Sequence, residues 1–171
     1  MKRFPLLALL LGMPMPAAAQ LEPRLDHLDQ YSLEASLVFE QLFVTGRDDE
    51  EDEQTPGALV DVAFGIPVGD DVARVLFGAR FGIDADDRLR LALPSVVLRT
   101  YAGWEEWKTF LDVGAFSRIQ PDWALGARLG LGVQYEFSPN LGAFAGAGTS
   151  IGYGEGLQIG VELSAGLQTR F

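Results

Sequence analysis

Charged side chains stand at regular intervals inside the apolar stretches of this chain. In the segment 157–171, apolar residues alternate with polar ones that include Glu162 and Arg170. Because a strand turns successive side chains to opposite faces, these two charges would share one face. The same spacing in earlier segments puts further charged residues on polar faces, namely Glu34, Glu40, Asp61, Arg74, Arg80, Arg90, Lys108, Asp112, Arg118, Arg128 and Glu136.

The chemistry open to these thirteen charged residues is mutual pairing. They are six acids and seven bases, so a space lined by them would be nearly neutral. Buried carboxylates and guanidinium groups are tolerated when they pair and form hydrogen bonds. We therefore predict an internal charge network. Glycines on the same polar faces would leave room for long arginine side chains, and these are Gly130, Gly132, Gly142, Gly146, Gly148, Gly160 and Gly166.

A run of six consecutive acids, 48–53, forms the most acidic part of the chain. Carboxylate oxygens bind hard divalent cations, which makes Asp48, Asp49, Glu51 and Asp52 weak candidates for metal ligands. The run lacks the Asp-x-Asp-x-Asp-Gly spacing of a tight calcium loop. The alternative is a solvated loop that repels its neighbours.

Catalytic chemistry has little support in the sequence. There is no cysteine, and the single histidine, His27, precedes the first alternating segment. The segment 146–150 resembles a phosphate-binding loop in its glycines but lacks the lysine. We predict no catalytic residue, no cofactor and no enzymatic activity. The formal net charge of −11 also argues against nucleic acid as a partner.

Eight segments with a period of two must position the charged residues. Each is bounded by turn-forming residues, and the strands predicted in this way are 31–45, 58–66, 73–83, 88–100, 104–118, 123–137, 141–151 and 157–171. Most are longer than the roughly 9 to 11 residues that cross a bilayer at a tilt. Pro94 interrupts the fourth strand, since proline cannot donate a ladder hydrogen bond, and the facing beyond it stays open.

The N-terminus has the features of an export signal. Lys2 and Arg3 precede an apolar stretch, and Ala17 to Ala19 supply a small-residue cleavage site. We therefore divide the chain into a signal peptide (1–19), a periplasmic N-terminal tail (20–30) and a barrel domain (31–171).

The alternation and the terminal Phe171 resemble those of small bacterial outer-membrane β-barrels of the OmpA/OmpX type. The resemblance implies an all-β, eight-stranded antiparallel up-and-down transmembrane barrel in the outer membrane of a Gram-negative cell. It implies outer-membrane lipid and lipopolysaccharide as surroundings, a monomeric state, and Phe171 as the signal read by the barrel assembly machinery.

An even number of strands places both termini on one side, which in such barrels is the periplasm. The connections 46–56, 84–87, 119–122 and 152–156 would then face outward, and those near Pro67, Ala102 and Pro139 would face the periplasm. This topology gathers aromatic residues into two girdles. The periplasmic girdle comprises Tyr31, Phe64, Trp104, Trp107, Tyr135, Phe137 and Phe171, and the outer girdle comprises Phe43, Phe81, Trp123 and Tyr153.

An eight-stranded barrel is just narrow enough for side chains to fill it. We therefore expect a plugged lumen and a structural or surface-interaction role. One alternative is a narrow passive channel for small solutes or ions. Another is a periplasmic lipocalin-like barrel that binds lipid, which would invert the faces and place Leu129, Leu131 and Val133 inside.

Overall fold

The computed structural model describes residues 30–46, 53–68, 72–104 and 106–171. It contains eight strands joined in order into one closed antiparallel barrel, in which β8 pairs with β1. This confirms the predicted fold class. The strands are β1 (Ser32–Thr45), β2 (Glu53–Val68), β3 (Ala73–Asp84), β4 (Leu89–Trp104), β5 (Trp107–Gln120), β6 (Ala124–Ser138), β7 (Leu141–Gly154) and β8 (Leu157–Arg170). The described residues include no helix long and apolar enough to cross a membrane.

The barrel has two distinct ends. Ser32 and Arg170, at the start of β1 and the end of β8, are register partners and mark the end that we call the terminal end. The connections β2–β3, β4–β5 and β6–β7 lie at the same end. The other four connections, β1–β2, β3–β4, β5–β6 and β7–β8, lie at what we call the loop end. This arrangement agrees with the predicted order of connections.

Side chains alternate between the two faces of the wall along every strand. Leu37 and Leu131 are 71% and 66% exposed on the outside, whereas Glu40 is 1% exposed inside. The apolar outer face and polar inner face follow the period of two in the sequence. Every charged residue on a described strand occupies a position that faces the interior.

One extra residue in β4 reverses the alternation there. Gly78 and Arg80 on β3 pair with Ser95 and Ala92, so two residues of β4 stand opposite one residue of β3. Pro94 lies in this irregularity, as expected of a residue that lacks a backbone N–H. Because of the bulge, even-numbered residues of β4 face inward before it and odd-numbered ones after it.

The largest differences from the predicted boundaries concern β2 and β4. The outer loop 46–56 is shorter, because β2 begins at Glu53 and Pro56 pairs with Gln41 of β1. Thr55 also lies in the β1–β2 ladder, opposite Leu42. Trp104, predicted to begin the fifth strand, is the last residue of β4. Turn-forming residues mark a break in the alternation, but they do not show how far cross-strand pairing continues beyond it.

Aromatic residues cluster on the outside of the terminal end. The Phe64 ring lies 5.7 Å from Tyr31 and 6.5 Å from Phe171. A second cluster joins Tyr135 to Trp107 at 4.9 Å and to Phe137 at 5.1 Å. These two clusters contain most of the predicted periplasmic girdle.

Some sequence predictions concern parts of the chain outside the described residues. These are the signal peptide 1–19, the tail up to residue 29 with His27, and the cation candidates Asp48, Asp49, Glu51 and Asp52.

Candidate functional site: the charged lumen

Four charged residues form a closed ring halfway along the lumen, which we call the central ring. Arg80 contacts Asp61 at 2.9 Å and also forms an ion pair with Glu162. Arg128 contacts Glu162 at 2.7 Å and Asp61 at 3.3 Å. Each guanidinium therefore lies between two carboxylates, and each carboxylate lies between two guanidinium groups.

The strand register explains how the central ring forms. Asp61 on β2 and Arg80 on β3 are direct cross-strand partners on the inner face. Arg128 on β6 and Glu162 on β8 are separated by β7, where Gly148 stands beside Glu162. A Cβ atom at Gly148 would lie 2.9 Å from Glu162 Oε1, so glycine gives Glu162 the room to reach Arg128.

Nearer the loop end, two arginines share one carboxylate, and we call this group the upper layer. Glu40 accepts hydrogen bonds from Arg118 at 2.8 Å and from Arg90 at 3.1 Å. Arg118 also donates to Gln158 Oε1 at 2.7 Å, and Arg90 donates to the Thr55 carbonyl oxygen at 2.7 Å. The upper layer thus joins β1, β2, β4, β5 and β8 across the lumen.

On the other side of the central ring, Arg99 organises a lower layer. Its Nε and Nη2 donate to the two carboxylate oxygens of Asp112 at 2.7 and 2.9 Å, and its Nη1 donates to Glu34 at 2.8 Å. The guanidinium carbon lies 4.1 Å from the centroid of Phe110 and 5.1 Å from that of Phe144. The Arg99 guanidinium is therefore paired with carboxylates through its N–H groups, and the rings of Phe110 and Phe144 lie against it.

At the terminal end, Glu136 is the centre of a base layer. It pairs with Lys108, and it accepts a hydrogen bond from Arg170 at 2.5 Å. Arg170 donates from Nε to Gln168 at 2.8 Å, and Gln134 donates to Gln168 at 3.1 Å. Both glutamines have no exposed surface.

The loop-end rim has its own ion-pair group. Arg88, in the β3–β4 turn, pairs with Glu53 and contacts Asp84 at 3.0 Å and Asp86 at 3.3 Å. The hydrogen bond and the charge of Glu53 raise the pKa of Arg88. These contacts tie the first residue of β2 to the turn, which accounts for the unexpected early start of β2.

The inner-face glycines of β6 and β7 make room chiefly for phenylalanine rings. A Cβ at Gly132 would lie 2.4 Å from Phe110, and a Cβ at Gly126 would lie 2.7 Å from Phe116. The sequence predicts arginines in this space, but of the predicted glycines only Gly142 has an arginine, Arg170, among its nearest neighbours. Aromatic rings from β5 lie against the glycines because this wall carries few side chains of its own.

Two small cavities flank the central ring. The cavity on the loop-end side has a volume of about 20 Å³, and the one on the terminal side has about 40 Å³. Arg128 and Ser95 line both. Since about 10 to 15 Å³ is enough for one water molecule, the loop-end cavity has room for about one and the terminal-side cavity for about three.

The structure places all the predicted network residues on the interior face. Arg74 lies fully buried near the terminal end. The lumen also contains residues that the sequence did not predict there, namely Arg99, Tyr101, Asp84 and the buried glutamines Gln134, Gln158 and Gln168. The glutamines stood on predicted polar faces and could have been found, whereas the bulge at Pro94 hid the facing of Arg99. Within the described ranges, no group of three or more His, Cys, Asp or Glu residues could hold a metal ion.

Solved structures with this architecture include outer-membrane barrels. Neisserial surface protein A aligns with a TM-score of 0.56 and 12% identity, over 82% of this chain and 97% of that chain. The N-terminal β-barrel domain of Pseudomonas aeruginosa OprF aligns with a TM-score of 0.48 and 18% identity, over 81% and 98%. At such identities the first likeness shows a shared fold. No protein-family model matches the chain, and no curated protein matches it.

Proposed function

We propose that this protein is an integral outer-membrane β-barrel with a closed lumen and a structural or surface-interaction role. The observation that carries the proposal is the complete separation of charge across the wall. Along the described strands, every Asp, Glu, Lys and Arg has the interior register, and the outer positions are apolar, small or uncharged polar residues. A wall facing water on the outside would have no reason to exclude charge so completely.

The polar atoms on the outer face support immersion in lipid. Thr109 and Thr149 donate their hydroxyl hydrogens to the carbonyl oxygens of Ala102 and Gly160, at 2.8 and 2.9 Å. A barrel without edges also pairs the backbone groups of its wall internally, which lipid requires. The same closure removes the strand edges through which sheets associate and favours a monomer.

The outer membrane is the bilayer that suits this wall. The fold is shared with Neisserial surface protein A, and the aromatic clusters at the terminal end match a membrane interface. With the terminal end in the periplasm, the loop end faces outward, and lipopolysaccharide would surround it.

The closed lumen is supported by its four charged layers. They connect opposite walls by direct contacts, and the cavities beside the central ring are water-sized. We infer that such a lumen leaves no continuous aqueous path along its axis. The proposed role therefore depends on the outer surface and the loops, and it is not catalytic.

The test is to isolate outer membranes from cells that express the full chain and compare electrophoretic migration before and after boiling in detergent. A folded barrel resists the detergent, so a shift on boiling is expected in the outer-membrane fraction. Recovery of the protein in the soluble periplasm, with no shift, would overturn the proposal. Urea extraction of the membranes is the control for peripheral attachment.

A narrow passive channel is the second candidate. It is favoured by the two cavities beside the central ring, because Arg128 lines both of them. Planar-bilayer recordings separate the candidates. A plugged lumen predicts no discrete openings for the unmodified protein, whereas Arg128→Ala should permit small ones. Reproducible openings of the unmodified protein would favour the channel.

The lipocalin-like alternative does not agree with the observed faces. It requires Leu129, Leu131 and Val133 inside, but they are 51%, 66% and 45% exposed on the outside. Glu162, which that alternative places outside, is 3% exposed within the lumen. We therefore do not propose it.

A further inference from the structure

The cavity on the loop-end side of the central ring, which we call the upper cavity, has an unusually cationic lining. Four guanidinium groups contribute to it, whereas one carboxylate does so, that of Glu40. Arg118 and Arg90 both use this carboxylate as an acceptor. Arg80 and Arg128 pair with the carboxylates of the central ring, which do not line the cavity. The four arginines are Arg80, Arg90, Arg118 and Arg128.

Two buried donors near the upper cavity lack a hydrogen-bond acceptor. Arg90 Nε has none, and the nearest Asp84 carboxylate oxygen is 3.7 Å away. Gln158 Nε2 also has none, although Gln158 Oε1 accepts from Arg118. Arg90 and Gln158 are 2% and 1% exposed, so bulk water does not reach them freely. Buried donors are nearly always satisfied, and of these two side chains Arg90 lines the cavity, so we expect an acceptor for Arg90 there.

The size and the charge of the cavity define that acceptor. A volume of about 20 Å³ has space for one species of the size of water or a halide ion. The lining of the cavity carries four bases and one acid, which favours an anion as that species.

We propose that the upper cavity binds one small monovalent inorganic anion of chloride size, held chiefly by Arg90 and Arg118. The anion accepts hydrogen bonds from the N–H groups of Arg90 and Arg118 that do not donate to Glu40, Gln158 or the Thr55 carbonyl oxygen. It is an internal component of the charge network, and the proposal does not depend on the cellular role of the barrel. A cation is excluded from this position by the surrounding guanidinium groups.

The direct test is a crystal of the detergent-folded protein grown in bromide. The expected result is an anomalous bromine peak in the upper cavity, in contact with Arg90 and Arg118. Density for a water molecule alone, without an anomalous signal, would overturn the proposal. This measurement uses the unmodified protein and does not rely on any variant folding.

Thermal unfolding gives an independent test in solution. The protein is refolded in gluconate, an anion too large for the cavity, and chloride or bromide then replaces gluconate at constant ionic strength. Because a ligand that binds only the folded state stabilises it, the melting temperature should rise, by an amount on the order of 5 °C at saturation. Equal melting temperatures in gluconate and halide would contradict the proposal.

A variant with an added carboxylate in the cavity gives a further test of the halide-dependent melting temperature. Ser150 lines the upper cavity and is 6% exposed. Ser150→Asp would place a carboxylate beside the arginines, so we expect the halide-dependent shift to disappear. The matched control is Ser138→Asp, which makes the same change at an exposed position on the terminal end. The control should keep the full shift, and a full shift in Ser150→Asp would count against the site.

Discussion

Arg99 and Asp112 face each other across the β4–β5 ladder and share two parallel hydrogen bonds, of 2.7 and 2.9 Å. The pair is buried, since both residues are 5% exposed. It exists because the bulge beside Pro94 turned Arg99 inward, opposite an aspartate whose facing was already fixed. A local irregularity in one strand thus determines the composition of the lower layer.

Removing one member of this pair should destabilise the barrel strongly. Asp112→Ala leaves the Arg99 guanidinium with Glu34 as its remaining carboxylate, and breaking a buried pair costs about 3 to 5 kcal/mol. Urea unfolding in detergent or lipid vesicles measures the change. The control is Val113→Ala, the adjacent outward residue, for which we expect about 1 kcal/mol or less. Similar values for the two variants would show that the pair is not important for stability.

A charge on the outer wall should be tolerated only if the wall faces water. Leu131 lies near the middle of β6 and is 66% exposed. In a bilayer, Leu131→Arg should destabilise the protein by about 2 to 4 kcal/mol. Reversible unfolding from vesicles tests this, with Leu131→Ala as the control for the lost side chain. An arginine variant as stable as the alanine variant would be incompatible with a lipid-facing wall.

Two glycines on β6 should respond differently to the same substitution. A Cβ at Gly132 would lie 2.4 Å from both Phe110 Cζ and the Ala145 carbonyl oxygen, whereas the nearest atom at Gly130 would be 3.5 Å away. Gly132→Ala should therefore cost about 1 to 3 kcal/mol through overpacking. Gly130→Ala should be neutral or slightly stabilising. Equal effects in urea titrations would contradict the packing described for Phe110.

The terminal aromatic residue should matter more in cells than in purified protein. Phe171 contacts Phe64 on the outside of the terminal end, as Phe137 contacts Tyr135. Each contact contributes about 1 kcal/mol, so Phe171→Ser and Phe137→Ser should lose similar stability in vitro. If Phe171 is the assembly signal, only Phe171→Ser should fail to reach the outer membrane. Equal membrane levels of the two variants would argue against that role.

The sequence predicted the strand number, the facing of most strands and the charged lumen, because all three follow from a period of two. It could not predict which charges pair. Pairing depends on the register between strands distant in sequence, as between Arg80 and Glu162. The facing of Arg99 could not be predicted for a different reason. One extra residue in a strand reverses the faces of all residues that follow, and the sequence does not show at which position the bulge lies.

The aromatic filling of the lumen was also beyond the sequence. Phe110 and Phe116 lie on the inner face of β5, where the alternation predicts polar residues. They are accommodated because glycines on β6 and β7 stand opposite each other, as Gly132 does with Gly146. A pattern that is followed along one strand at a time does not show that small residues on one strand make room for large side chains on its neighbour.

The central ring also bears on the order in which the barrel closes. Asp61 and Arg80 belong to one hairpin, and Arg128 and Glu162 belong to the last three strands. Each half of the chain therefore contains a neutral pair of its own before the halves meet. When β8 joins β1, the two pairs share partners without any net charge being moved into the lumen. A partly assembled sheet that inserts into the membrane therefore carries no net charge from these four residues.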